Sequence, residues 1–239
     1  LTISGSPQLS TRTFTNQSTT GVWSGAGTIN MGGVFNNAGT LTATGDGTLR
    51  ALSDNGTFNN SGTFTKNGGV GTTTFNTNFA LTVNNTGTID VQSGTVNMVP
   101  TTFNNDGVVN LATGATLTLG STGTGAGVYT LNGTGQVNFT GGTQTFNTGA
   151  DISGAGLFNV SGGTMTVAAA AMHADNLQLA GGTLDGTGAL TVDNALTWTG
   201  GTQSGAGSTT VVPAASLTIS GSPQLSTRTF TNQSTTGVW

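Results

Sequence analysis

Apolar residues recur along the chain in short bursts at every second position, among them Ile29/Met31, Leu41/Ala43, Ile89/Val91, Leu117/Leu119, Met165/Val167 and Leu196/Trp198. Such alternation turns one side chain into a core and the next into solvent, so each burst predicts a short strand with one buried face. Thr occupies many of the outward positions, for example Thr40, Thr42 and Thr44 around Leu41 and Ala43, and its branched Cβ suits the extended backbone. Gly or Asn ends most bursts, which leaves room for two or three strands in each short unit. Helical periodicity is nearly absent, and the run Ala168 to Ala171 reads as a turn of small residues.

The bursts belong to a longer period. The motif NNxG begins at Asn36, Asn59, Asn84 and Asn104, at steps of 23, 25 and 20 residues. A GGT marker then takes over at Gly141, Gly162, Gly181 and Gly200, at steps of 21, 19 and 19. Units of about 21 residues built from short strands predict an all-β fold, a parallel β-solenoid, with Gly and Asn in left-handed corner conformations. Stacked coils would set Asn36, Asn59, Asn84 and Asn104 above one another as an amide ladder at one corner. The preceding residues Phe35, Phe58, Val83 and Phe103 would stack in parallel with it, and Phe14 fits the same series loosely.

Residues 1–23 and 217–239 are the same 23 letters, LTISGSPQLSTRTFTNQSTTGVW. The chain therefore reads as one 216-residue tile, residues 1–216, of about ten coils, followed by the start of the next tile, residues 217–239, with no internal domain boundary. That is the pattern of a window on a longer tandem array, whose partners are further copies of the same repeat, covalent in tandem or head-to-tail.

Composition agrees with repetition. Gly (41), Thr (51), Asn (23) and Ser (18) make up 133 of 239 residues, and only 5% are charged, which is too few for an ordinary enzyme surface. Coils about 4.8 Å apart set a repeated charge against its own copy, at a cost of about 1 kcal/mol per pair in water, so repetition selects against charge. The net charge of −4 offers no basic patch to nucleic acid. Without Cys there is no disulfide framework and no thiolate metal site. No apolar run approaches the roughly 18 residues of a membrane span, and residues 1–20 lack a signal-peptide layout.

The phrases GTLTATGDGTL, FNNSGTF and VNNTGTIDVQSGTV, and above all LTWTGGTQSGAGSTTVVPAASLTISG followed by LSTRTFTN, resemble the repeats of very large bacterial surface proteins. These are the β-helical adhesins and fibre proteins of the filamentous-haemagglutinin and autotransporter kind. The resemblance spans nearly the whole chain. It implies a right-handed parallel β-helix, an extracellular or cell-surface location, and a structural or adhesive role, and it identifies no receptor. Lateral bundling and surface glycans are further candidate interactions. It carries over no site residue.

Candidate chemistry is sparse. Glycoside hydrolysis needs two carboxylates about 5 to 9.5 Å apart, and Asp46 with Asp54 or Asp185 with Asp193 are the available pairs. His173 with Asp175 is the available half of a general-base pair, with no nucleophile implied by spacing. The string GGTLDG at Gly181 is similar to a calcium-binding β-roll repeat but occurs once. The reading is therefore non-enzymatic, without cofactor or metal. Its alternative is a surface-binding module, in which Trp23, Trp198 or the longer steps around Asn59 to Asn84 and 121–128 contact glycan; buried Trp residues would instead suit a rod. Thr-x-Thr pairs such as Thr63/Thr65, Thr116/Thr118, Thr143/Thr145, Thr164/Thr166 and Thr227/Thr229 could line an ice-binding face, but they keep no constant phase to the coil markers.

Overall fold

The computed structural model describes residues 1–52, 55–76 and 79–238. The chain winds as an all-β parallel solenoid of about 11 coils, and no helix occurs among the described residues. Each coil contributes strands to three faces. Face one begins with Thr2–Ile3, Gly21–Trp23 and Thr40–Ala43, face two with Gln8–Leu9, Thr28–Met31 and Thr48–Ala51, and face three with Thr13–Asn16, Val34–Asn37 and Gly56–Asn60. Pairing is parallel and in register, so that Thr40, Thr63, Thr88 and Val108 head successive strands of face one. Faces one and two merge into one 22-stranded sheet, because Ala171–Leu179 and Ala189–Trp198 run on through the corner between them. Face three is a run of five strands and then six, linked by a bridge between Thr102 and Thr122. Residues 168–170 form the corner between Thr164–Val167 and Ala171–Leu179.

Alternation along the strands builds the core. On face two Ile29, Leu49, Phe75, Met98, Leu119 and Phe139 stand one above another, all buried. On face three Phe14, Phe35, Phe58, Val83 and Phe103 share one inward column. This column runs alongside the Asn series as expected, and within it the rings of Phe35 and Phe58 meet edge to face at 5.3 Å, the arrangement that the aromatic quadrupole favours. Trp23 and Trp198 are also buried, at 1% and 4% exposure.

The corners depart from expectation in one respect. Among the described residues only glycines have positive φ, so Asn holds no corner by left-handed backbone. The glycine of NNxG is required for another reason. A Cβ built on Gly62 or Gly87 would run into the carbonyl oxygen of Gly39 or Gly62 in the coil above. Left-handed backbone appears instead at the second glycine of the GGT marker in Gly142, Gly163 and Gly201.

The duplicated segment folds twice in the same way but in two places. Thr2 pairs with Val22 in the first copy, and its equivalent Thr218 pairs with Val238 in the second, so the internal register is the same. The first copy, however, enters on face one, whereas Ser216–Ile219 of the second lies on face two, beside Ala195 to Trp198. The length of the tile explains the offset, since 216 residues at about 21 per coil make ten coils and about a third of another. The second copy therefore repeats the local structure of the first one face further round.

Interior and exterior positions of one strand should respond differently to truncation. Phe58→Ala is expected to cost about 3–5 kcal/mol and Thr57→Ala less than about 0.5 kcal/mol. Hydrogen exchange of the amides in Gly56–Asn60 and Leu81–Asn85 would read both.

Candidate functional site

Face three carries the most regular surface. Its first outward column holds Thr57, Thr82, Thr102 and Thr122, and continues through Thr143, Thr164, Thr183 and Thr202. Of the Thr-x-Thr pairs, Thr143/Thr145 and Thr164/Thr166 start in this column, while the pairs as a set keep no constant phase, as the sequence reading has it. The markers change from NNxG to GGT while the column runs on. Thr143/Thr145 lie directly beside Thr164/Thr166, whereas Thr63/Thr65 stand on face one and Thr116/Thr118 on face two.

Two positions along the same strands, Asn36, Asn59, Asn84 and Asn104 form a second outward column. Asn59 donates from Nδ2 to Oδ1 of Asn36 at 2.9 Å, Asn84 to Asn59 at 2.8 Å and Asn104 to Asn84 at 2.9 Å. The chain of amides closes on the backbone, where the Thr124 N–H donates to Oδ1 of Asn104 at 3.2 Å. These four lie on the face itself rather than at a corner.

The second Asn of each motif holds the corner, and sequence reasoning passed over it. Asn16, Asn37, Asn60, Asn85 and Asn105 are buried in one column, joined by amide bonds of 2.7–2.8 Å. Each of the first four also donates to the carbonyl that opens face one of the following coil: Asn37 to Thr63 at 3.0 Å, Asn60 to Thr88 at 2.8 Å. That second bond fixes which way the amide points. The inner ladder therefore donates toward the C-terminal coils and the outer ladder toward the N-terminal ones. The doublet NN was the available signal, since adjacent strand residues face opposite ways. The inner ladder stops at Asn105, whose buried Nδ2 has no hydrogen-bond partner because Gly125 in the next coil has no side chain to continue it, and burial pushes the nearby Tyr129 hydroxyl pKa up.

The ionisable candidates scatter. Asp54 lies outside the described residues, and Asp46 binds Lys66 at 2.8 Å. Lys66, fully buried, occupies an inward position in line with Ala43 and Val91, and its ammonium also donates to the Gly68 carbonyl at 2.8 Å. Asp185 sits on face three accepting from Ser204, and Asp193 on the strand Ala189–Trp198, so that carboxylate pair is not assembled. His173 bonds Asp193 through Nδ1 at 2.7 Å rather than Asp175, which accepts from the Gly154 N–H. Burial holds the Asp151 carboxyl above its ordinary pKa, against the lowering effect of His173 and with Asp175 and Asp193 adding to the rise. Among the described residues no three His, Cys, Asp or Glu side chains converge as a metal site. Residues 121–128 make an ordinary stretch of coil around Gly123–Gly125, and the step before Asn84 puts Val70 and Phe79 on the exterior. The chain is similar to no protein-family model, curated protein or solved structure.

Two outcomes follow from this geometry. Asn60→Ala strands the Asn37 amide, the Asn85 oxygen and the Thr88 carbonyl, and should cost about 3 kcal/mol or more, against less than about 1 kcal/mol for Asn59→Ala on the outer ladder; urea unfolding compares them. A carboxyl whose pKa folding raises contributes stability below its ordinary pKa and loses it as pH climbs through the raised value. Asp151→Asn should therefore unfold at a higher temperature than the parent at pH 7, with the advantage gone by about pH 3.

Proposed function

We propose that the chain is a structural segment of a long, tandemly repeated, secreted bacterial surface fibre or adhesin, forming a rigid extracellular rod. The observation that carries this reading is the duplicated segment. It takes the same strands and register in both copies, so one tile ends in the state from which the next begins. Backbone ladders on three faces and the near absence of charge support it, as does the resemblance to repeats of β-helical surface proteins. The function is geometric: at about 4.8 Å per coil a tile adds roughly 50 Å of rod, and length scales with tile number.

Face three supplies the second reading. Its Thr and Asn columns, spaced by one coil and free of charge from Thr57 to Thr166, make a regular polar surface for a periodic glycan or, less readily, ice. Binding to crystalline polysaccharide or ice that is lost with Thr145→Lys and Thr166→Lys would favour it.

Negative-stain microscopy of chains carrying one, two and three tiles tests the rod. The expected particles lengthen by about 50 Å per tile, unchanged by His173→Ala and broken by Phe58→Asp, whose buried carboxylate is destabilising by several kcal/mol. Particles whose length does not grow with tile number would contradict the reading. So would a native activity abolished by His173→Ala while Phe58→Asp rods keep normal length.

A further inference from the structure

Both inward columns of face three lose their side chains at one coil. The column that holds Phe103 continues through Gly123 to Gln144 and Met165, and the inner Asn column continues from Asn105 through Gly125 to Phe146 and Val167. A Cβ on Gly123 would run into the Phe103 carbonyl, and one on Gly125 into the Asn105 carbonyl, so neither position admits a larger residue. The close backbone approach leaves a gap where two side chains would otherwise stand. Asn105 borders that gap with an amide unlike the other four of its column. Asn16, Asn37, Asn60 and Asn85 each donate from Nδ2 to the next Asn and to the carbonyl that opens face one of the following coil. Asn105 is 3% exposed, and its Nδ2 makes neither bond.

We propose that this gap is a binding site for a single water molecule, which accepts from Nδ2 of Asn105, donates to Oε1 of Gln144 and hydrogen-bonds with the Tyr129 hydroxyl. These three residues line a cavity together with Gly125, Gly127 and Phe146, with about 10 Å³ open to the centre of a water-sized molecule. One water needs about 10–15 Å³ on the same measure, and two to four polar partners. The side chains supply those partners. Gln144 is 4% exposed, and its Nε2 donates to the Ser121 carbonyl at 2.9 Å, so its oxygen is the end left to accept. Tyr129 lies beside Asn105, and burial raises its hydroxyl pKa, so it keeps its proton and can both donate and accept. The chemistry also selects the occupant. A ligand here must accept from one amide and donate to another: ammonium has no acceptor, chloride has no donor, and an apolar atom has neither. An alcohol has both but exceeds the volume. The water carries the inner ladder across the change of marker from NNxG to GGT, in the place of the side chains that Gly123 and Gly125 lack. This inference is independent of the fibre reading, since it rests on one coil and holds wherever the protein resides.

Nuclear Overhauser spectroscopy of the isotope-labelled full chain reads the site through the Nδ2 protons of Asn105. They should show a cross-peak to water, of the sign that a long-residing water gives. The Nδ2 protons of Asn60, whose two bonds within the same ladder are complete, should show none. The Asn105 cross-peak should persist in Tyr129→Phe, which removes the hydroxyl proton that could relay magnetisation from bulk solvent and leaves both amides in place. A crystal structure of the parent chain should place one ordered water at about 2.7–3.2 Å from both Asn105 Nδ2 and Gln144 Oε1. A missing cross-peak at Asn105, or its loss in Tyr129→Phe, would overturn the proposal. So would a crystal structure in which Asn105 Nδ2 donates directly to Tyr129, to Gln144 or to the Val128 carbonyl, because the ladder would then close without a water.

Discussion

Everything in this molecule is subject to one constraint: each side chain stands one strand spacing, about 4.8 Å, from the residue at the same position in the coil above and the coil below. Groups that gain from meeting their like accumulate, and groups that lose are excluded. Thr hydroxyl and methyl groups tolerate the repetition on face three, amides profit from it by donating to the next amide, and phenyl rings accommodate it by turning edge to face. A repeated charge would repel its own copies. The exceptions confirm the rule by their company, since buried Lys66 is held by Asp46 and a carbonyl, and buried Arg228 is held by carbonyls of two earlier coils.

The two Asn ladders show how stacking turns into specificity. The outer ladder lies on the half-exposed face, where water competes for every amide. The inner ladder is dry, and each amide also reaches the carbonyl that starts face one in the next coil. Shifting one coil by a single residue would carry the inner Asn to the surface and drive its outer neighbour into the core, so the doublet pins the register. The glycine two residues after the doublet completes the device, because only a residue without Cβ lets the stacked corner carbonyls approach.

Much of this was legible in the sequence. Period-two bursts of apolar residues gave strands, the 19- to 25-residue steps gave coils, and the NNxG phase placed Asn36, Asn59, Asn84 and Asn104 on one column. What escaped depends on the partner coil. The inner Asn column was hidden because a polar residue next to an outward one looks outward too. Lys66 could not be seen as buried until Ala43 and Val91 were known to flank it. The pairing of His173 with Asp193, twenty residues away, and the separation of Asp185 from Asp193 turn on coil length, which varies. The Thr column of face three was missed because its marker changes identity halfway along the chain.

The central claim is that identical tiles continue one parallel, in-register solenoid while stepping round it by one face. Cryo-electron microscopy of a chain holding two complete tiles addresses it most directly. The account predicts a single uninterrupted rod with a repeat of about 4.8 Å along its axis, and with the Asn ladder of the second tile on the face adjacent to that of the first. Antiparallel hairpins, a break at the junction, or ladders of both tiles on the same face would contradict it.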